Sequence, residues 1–194
     1  MSVTETRTII LETAKRLIVD RGLQDTSMSL ISKTSGVSVG SIYNLFEGKD
    51  DLVNAIYIDC RSRLTDASLY GKREPQETIQ QYFKRACGVY MDAAIANPYD
   101  FKFLFQFHLT PAIDSRIFGP GDIVLGAPEH TTRYYIQQGT FKSAPPLALD
   151  YICLGIISQV VKAHHAGFLE ITEELREVVL NACWDAISNN KFPE

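Results

Sequence analysis

The 194-residue chain has no polybasic run, no CxxC pair, no internal repeat and no low-complexity tract. Each absence removes a class of protein. Lys and Arg number 19 against 23 Asp and Glu, a formal charge of −4, so nucleic-acid binding would have to come from geometry and a few placed cations. The first 50 residues are balanced at six basic and six acidic; the net charge lies in the remainder. Cys60, Cys87, Cys153 and Cys183 stand far apart. That reads as reduced, buried thiols of a cytoplasmic protein, not as a zinc site or a disulfide framework. His164 and His165 are adjacent, about 100° apart on a helix, and cannot easily share an ion. No metal and no cofactor is expected. GxSxG, HExxH, a phosphate-binding glycine loop and a dinucleotide fingerprint are all missing, so the chain is not expected to be an enzyme. The opening MSVTETRTIILETAKR mixes charges into its apolar part, unlike a signal peptide. The most apolar stretch, 151–161, falls short of the ~20 residues that span a bilayer. The expectation is a soluble, cytoplasmic protein without a membrane partner.

What remains is globular composition, 45% hydrophobic and 22% charged, in a chain long enough to bury a sizeable core. Helical periodicity runs through it. Ile10, Ala14, Leu17 and Ile18 repeat as one buried helix face, and Gly22 is expected to end that helix in a left-handed C′ position. Thr26-Ser27 supplies a hydroxyl cap for a short helix at 28–34. Ser35-Gly36-Val37-Ser38 is a tight turn, with Ser38 capping a third helix at 39–46. A fourth starts at Lys49 and runs through Leu52, Ile56, Cys60 and Leu64. After a break at 71–75, with Pro75 expected in the first turn, a fifth carries Ile79, Phe83, Ala86, Tyr90 and Ala94 to Asn97-Pro98. Residues 115–126 suggest irregular structure. Helices follow at 131–138, at 146–165 and from 172 to about 190. Phe101, Phe103, Phe105 and Phe107 alternate as in a strand, but without a partner strand the segment is predicted to be a helix buried nearly all round. The fold class is all-α, with about nine helices.

Two short helices joined by Ser-Gly-Val-Ser form a helix-turn-helix. In proteins that read DNA, the second helix of such a pair enters the major groove and the first crosses the phosphate backbone. The geometry also occurs in proteins that never touch DNA.

The run from Ile10 to Leu23, then Thr26-Ser27-Met28, Ile31, Gly36-Val37-Ser38, Ile42-Tyr43, Phe46, Lys49 and Leu52, resembles the TetR family of bacterial transcription regulators over about the first 55 residues. The resemblance implies a three-helix helix-turn-helix DNA-binding domain at 1–48, then a helical effector-binding and dimerisation domain at 49–194. It implies a homodimer on double-stranded operator DNA, released by a small molecule. Tyr43 and Lys49 would contact phosphates, and Ser27 and Ser29 would meet the backbone from the second helix, with Lys33 on the same helix. Ser38, Val39, Gly40, Ser41 and Asn44 would lie against base edges. The chain departs from the family pattern at Ser29, Val39 and Leu45, and its recognition helix has neither Lys nor Arg. That predicts modest affinity, with reliance on DNA shape and apolar contact. Lys49 at a helix N-terminus, where a cation is disfavoured, hints at a phosphate partner. A helical ligand-binding or adaptor protein with a degenerate helix-turn-helix is the alternative.

In the second half, Leu147, Tyr151, Leu154, Ile157 and Val161 form one apolar stripe, with Ile152, Ile156 and Val160 on another face. The last helix repeats the pattern. These stripes fit a monomer core and a four-helix pairing with a second copy equally well; the resemblance favours the pairing, through Tyr151, Leu154, Gly155, Val161, Val179, Ala182 and Ala186. Phe83, Tyr90, Phe101, Phe105, His108 and Tyr134 are candidates to line a cavity, although for any phenylalanine alone plain core is the favoured reading. The resemblance favours a small apolar or aromatic effector there.

Overall fold

The computed structural model describes residues 2–65, 73–117 and 129–189. Among these there are nine α-helices: α1 (Val3–Arg21), α2 (Met28–Ser35), α3 (Val39–Tyr43), α4 (Lys49–Thr65), α5 (Ile79–Ala96), α6 (Pro98–Phe107), α7 (Glu129–Gln137), α8 (Pro146–His165) and α9 (Glu173–Ile187). A 3₁₀ turn covers Ser115–Ile117, and an isolated antiparallel bridge joins Phe141 to Ser188. The expected break at Gly71-Lys72 and most of the irregular stretch lie outside the described residues. The helices pack as two units: Met1–Arg63 with Asn97–Phe118, and Leu64–Ala96 with Gly119–Glu194. This grouping by packing differs from the functional boundary expected at residue 48, because most of α4 and all of α6 share the core of the first three helices.

In the first unit, α1 begins on a capping box. The Ser2 hydroxyl accepts from the Glu5 N–H at 3.2 Å, and the Glu5 carboxylate accepts from the Ser2 N–H at 2.7 Å. The helix ends at Gly22, whose N–H reaches the Ile18 carbonyl at 2.9 Å. Gly22 sits at φ +90, ψ 159 and not in the expected left-handed helical well. The chain leaves extended there, and only glycine takes that backbone readily. Ile10, Ala14 and Ile18 join Ile31, Ile42, Leu52, Ile56 and Phe103 in one core.

Phe101–Phe107 is helical, as the context predicted, but it is not buried all round. Phe101, Phe103 and Phe107 turn inward, whereas Lys102 and Gln106 are exposed and Phe105 is 39% exposed. The helix is fixed by a group that no pattern marked. Asp100, buried in its first turn, receives the Lys15 ammonium from α1. From α4, Arg63 Nε donates at 2.5 Å and its Nη2 at 3.1 Å. Burial works against the charge on Asp100, but hydrogen bonds from Arg63 and Lys15 outweigh it and hold the carboxyl below its ordinary range.

In the second unit, α5 starts later than Pro75 suggested. Pro75 lies in a turn, and the helix is opened by a box in which Gln81 N–H donates to the Thr78 hydroxyl at 3.2 Å and Thr78 N–H to the Gln81 side chain at 2.9 Å. α8 has 20 residues and, by length and composition, could cross a membrane. Here it packs against α5, α7 and α9. Its inward face is Leu149, Cys153, Ile157, Ser158 and Val161; of the expected stripe Ile157 and Val161 belong to it, while Leu147 is exposed and Tyr151 and Leu154 are half-buried. α9 is capped by Thr172 and ends at Ile187, short of the expected 190.

Candidate nucleic-acid interface

The helix-turn-helix is assembled by serines and one glycine. Ser27 caps α2, accepting from the Leu30 N–H at 3.1 Å. Gly36 closes it in the left-handed region (φ 72, ψ 5), its N–H on the Ser32 carbonyl at 3.0 Å. The Ser32 hydroxyl then donates to the Val37 carbonyl at 2.6 Å, and the Ser35 hydroxyl accepts from the Val37 N–H at 3.2 Å. Ser38 caps α3 by accepting from the Ser41 N–H at 3.1 Å, and its hydroxyl also bonds the Ser41 hydroxyl at 2.8 Å. Ile31, Val37, Ile42 and Phe46 anchor the pair inside.

α3 is shorter than the 39–46 expected. It stops at Tyr43, and Leu45 N–H turns to the Ile42 carbonyl at 3.0 Å as the chain carries Phe46 inward. The Arg7 guanidinium sits over the Phe46 ring at 5.6 Å. Ile42 and Phe46 face the core, whereas Val39 in the first turn, Gly40, Tyr43 and the C-cap Asn44 are exposed. Val39 is 38% and Tyr43 51% exposed. Ser27, Ser29, Lys33, Ser38, Gly40 and Asn44 are exposed too, and Ser41 is half-buried.

Lys49 is the exception. It opens α4 as expected, but its ammonium donates to the Leu23 carbonyl, between α1 and α2. The chain itself supplies that partner, so the argument that its position calls for a phosphate loses force. The first turn also holds Asp50 and Asp51, which suit a helix N-terminus, and Asp51 accepts from the Glu47 N–H at 3.0 Å.

The candidate effector residues do not gather in one place. A cavity of about 30 Å³, room for about two waters, lies in the second unit between Ile79, Tyr82, Phe83, Cys87, Tyr135 and Phe141. Of the expected lining only Phe83 reaches it. Tyr90 is buried elsewhere in that unit, where its hydroxyl hydrogen-bonds Ser158, and burial pushes it up to about 12. Tyr134 is exposed. Phe101, Phe105 and His108 belong to the first unit, where His108 Nδ1 lies 2.5 Å from the Tyr57 hydroxyl. Sequence reasoning missed Tyr82; its place in the wall depends on how α5 and α7 come together around the cavity, which spacing does not reveal.

Of the candidate interface residues, Gly155 and Ala182 are exposed, and Tyr151, Leu154 and Ala186 are half-buried. Val161 and Val179 are buried in their own unit. Ile152 (44% exposed) and Val178 (61%) take the outward positions instead.

Residues 10–56 match the family model described as bacterial regulatory proteins, tetR family. The chain is 38% identical over 65 residues to the HTH-type transcriptional regulator AcrR of Shigella flexneri, covering 34% of this chain and 30% of that one. It is 35% identical over 74 residues to the HTH-type transcriptional regulator UidR of Escherichia coli K12, covering 38% and 36%. The match thus spans about a third of the length of these curated relatives. Over nearly the whole chain the fold is that of a TetR family transcription regulator from Marinobacter aquaeolei, with a TM-score of 0.83, 23% identity and coverage of 95% and 96%. It is also that of a TetR-family regulator from Haemophilus influenzae, with a TM-score of 0.78, 19% identity and coverage of 96% and 98%. A third similar structure is the Flavonoid-responsive Regulator FrrA, with a TM-score of 0.67, 17% identity and coverage of 96% and 99%. Residues 10–56 thus carry the helix-turn-helix of the tetR family of bacterial regulatory proteins, and the described helices have the fold of solved TetR family regulators.

Proposed function

We propose that the protein is a cytoplasmic transcription regulator that binds operator DNA as a homodimer and is released by a small apolar or aromatic effector. The observation that carries this reading is the exposure of Val39, Gly40, Tyr43 and Asn44 at the second helix of the motif, while Ile42 and Phe46 anchor it in the core. Ser38 and Gly40 let DNA come close to the backbone, Val39 offers an apolar surface to a thymine methyl, and Asn44 can pair with adenine. Ser27, Ser29, Lys33 and Tyr43 supply hydroxyl and ammonium donors for phosphates. Two such heads ~34–36 Å apart reach successive major grooves.

Support for a dimer is the exposed strip of Ile152, Gly155, Val178 and Ala182 on α8 and α9. The aromatic-walled cavity supports the effector. At about 30 Å³ it must widen to take a ring, so binding and conformational change are linked there. Repression would be relieved by population shift, and ~100-fold weaker operator binding requires about 2.7 kcal/mol of coupling.

The test is a gel shift with the DNA upstream of the gene at stated salt, using the native chain and Tyr43→Phe/Asn44→Ala. Retention against competitor DNA, with a loss on the order of tenfold or more in the variant, is expected. One observation favours the other reading, a helical ligand-binding protein: α3 has no cation, and Lys49 is already engaged by Leu23. No retardation at low salt would establish that reading instead.

A further inference from the structure

We propose, resting on the DNA-binding reading above, that Arg7 is a further DNA contact: its guanidinium meets the phosphate strand beside the end of α3 and supplies the cation that α3 lacks. Arg7 stands in the second turn of α1, one turn before Ile10 and Leu11, which carry that face of the helix into the core. Its guanidinium lies over the Phe46 ring, 5.6 Å from the centroid, within the range at which an aromatic face attracts a cation. Phe46 is buried and follows directly on Tyr43-Asn44-Leu45. The contact therefore brings a charge from the start of α1 to the end of the recognition element where Tyr43 and Asn44 are exposed.

Arg7 is exposed, and among the described residues it makes no ion pair and no side-chain hydrogen bond. Other cations of the unit are committed: Lys15 and Arg63 to Asp100, Arg16 to the Tyr99 ring, Lys49 to the Leu23 carbonyl. Glu5, close by on α1, accepts from the Ser2 N–H. A guanidinium attracted to a ring keeps N–H donors at its rim, and their fork matches two phosphate oxygens. A helix in the major groove is flanked by a phosphate strand on either side, so a cation beside its end has a strand to meet.

The surroundings give a reason for a cation at this place. Glu47 follows Phe46, and Asp50 and Asp51 open α4; all three are exposed and by themselves would repel the same strand. Arg16 is the matched control. It lies nine residues further along α1, which at ~100° per residue is the opposite side of the helix, and its guanidinium sits 4.5 Å from the Tyr99 ring of α6. The two arginines thus share a helix, a charge and a kind of contact, and differ in whether that contact leads to α3.

The experiment measures fluorescence anisotropy of the DNA upstream of the gene, and of an unrelated duplex of equal length, over a salt series. It compares the full native chain with Arg7→Met, Arg7→Lys and Arg16→Met. Methionine keeps an apolar cover on the ring and removes the charge. Arg7→Met is expected to melt as the native chain does and to lose affinity for both duplexes on the order of tenfold at low salt. Its logarithmic salt slope should flatten by about 0.9 for each bound head. Arg7→Lys and Arg16→Met should keep the native slope. The proposal is overturned if Arg7→Met binds with the native slope, if Arg16→Met flattens it as much, or if Arg7→Lys falls as far as Arg7→Met. Native binding with an unchanged Arg7→Met slope defeats this proposal alone. A native chain that binds neither duplex at low salt defeats the DNA-binding reading and this proposal with it.

Discussion

At the scale of single residues, the most consequential group in the first unit is Asp100. It joins Lys15 of α1 and Arg63 of α4 to the first turn of α6, and Lys15 is only 4% exposed. A buried ion pair adds little over apolar packing, but removing Asp100 leaves the buried Lys15 with the half-exposed Glu12 as its acidic partner, while Arg63 keeps Glu12 and Asp59. Asp100→Ala is therefore expected to cost about 3–5 kcal/mol in urea unfolding, and Lys15→Met/Asp100→Leu to recover most of it. The same group predicts a pH dependence. Its folded carboxyl titrates below the unfolded value of about 3.9, so the stabilisation is complete above that pH and is lost as pH falls through the folded value. Urea midpoints compared between pH 7 and pH 3 should fall further in the native chain than in Asp100→Asn. Lys15 lies on the buried face of α1, a place where a lysine signals a buried partner. Nothing in the sequence says that the partner is 85 residues away.

At the scale of the element, the reading pair depends on a few backbone positions. Gly36 at φ +72 is one an L side chain rarely adopts, and nothing crowds it, so Gly36→Ala should cost about 1–2 kcal/mol through backbone strain alone, measured by thermal melting. Val39, exposed and at the start of a helix without cations, is the position to add one. Val39→Lys should raise general DNA affinity and steepen its logarithmic salt dependence by about one; an unchanged slope would mean that this side does not approach phosphate. The segment around Phe101–Phe107 shows where pattern misleads. Its alternation is that of a strand, yet Pro98 at N1 and Asp100 in the first turn favour a helix, and the inward side is chosen by the Asp100 ion pairs as much as by the phenylalanines.

At the scale of the whole molecule, the question is how many copies act together. α8 and α9 present Ile152 and Val178 outward, and a side chain added at Gly155 meets nothing within 4 Å in the single chain. Gly155→Trp should therefore leave helicity and melting intact in an isolated chain while splitting a dimer that packs on this face. Light scattering should report the monomer mass, and operator binding should weaken with it. A dimer that survives Gly155→Trp would move the interface elsewhere.

The helical layout, the two serine caps at Ser27 and Ser38, the turn at Gly36 and the resemblance over the first 55 residues were legible because they are local. Caps, left-handed glycines and 3.6-residue stripes act over a few residues, and the sequence states them directly. The candidate reading positions on α3 came from the resemblance and not from periodicity. What only the tertiary structure decided are contacts between distant segments: Asp100 with Lys15 and Arg63, Lys49 with the Leu23 carbonyl, Phe83 with Phe141, and the Cys153 thiol with the Cys183 carbonyl. A stripe says that a face is buried, not what covers it. Val161 and Val179 therefore read as interface until packing turned them inward, and the cavity walls stayed hidden until α5 and α7 were folded together.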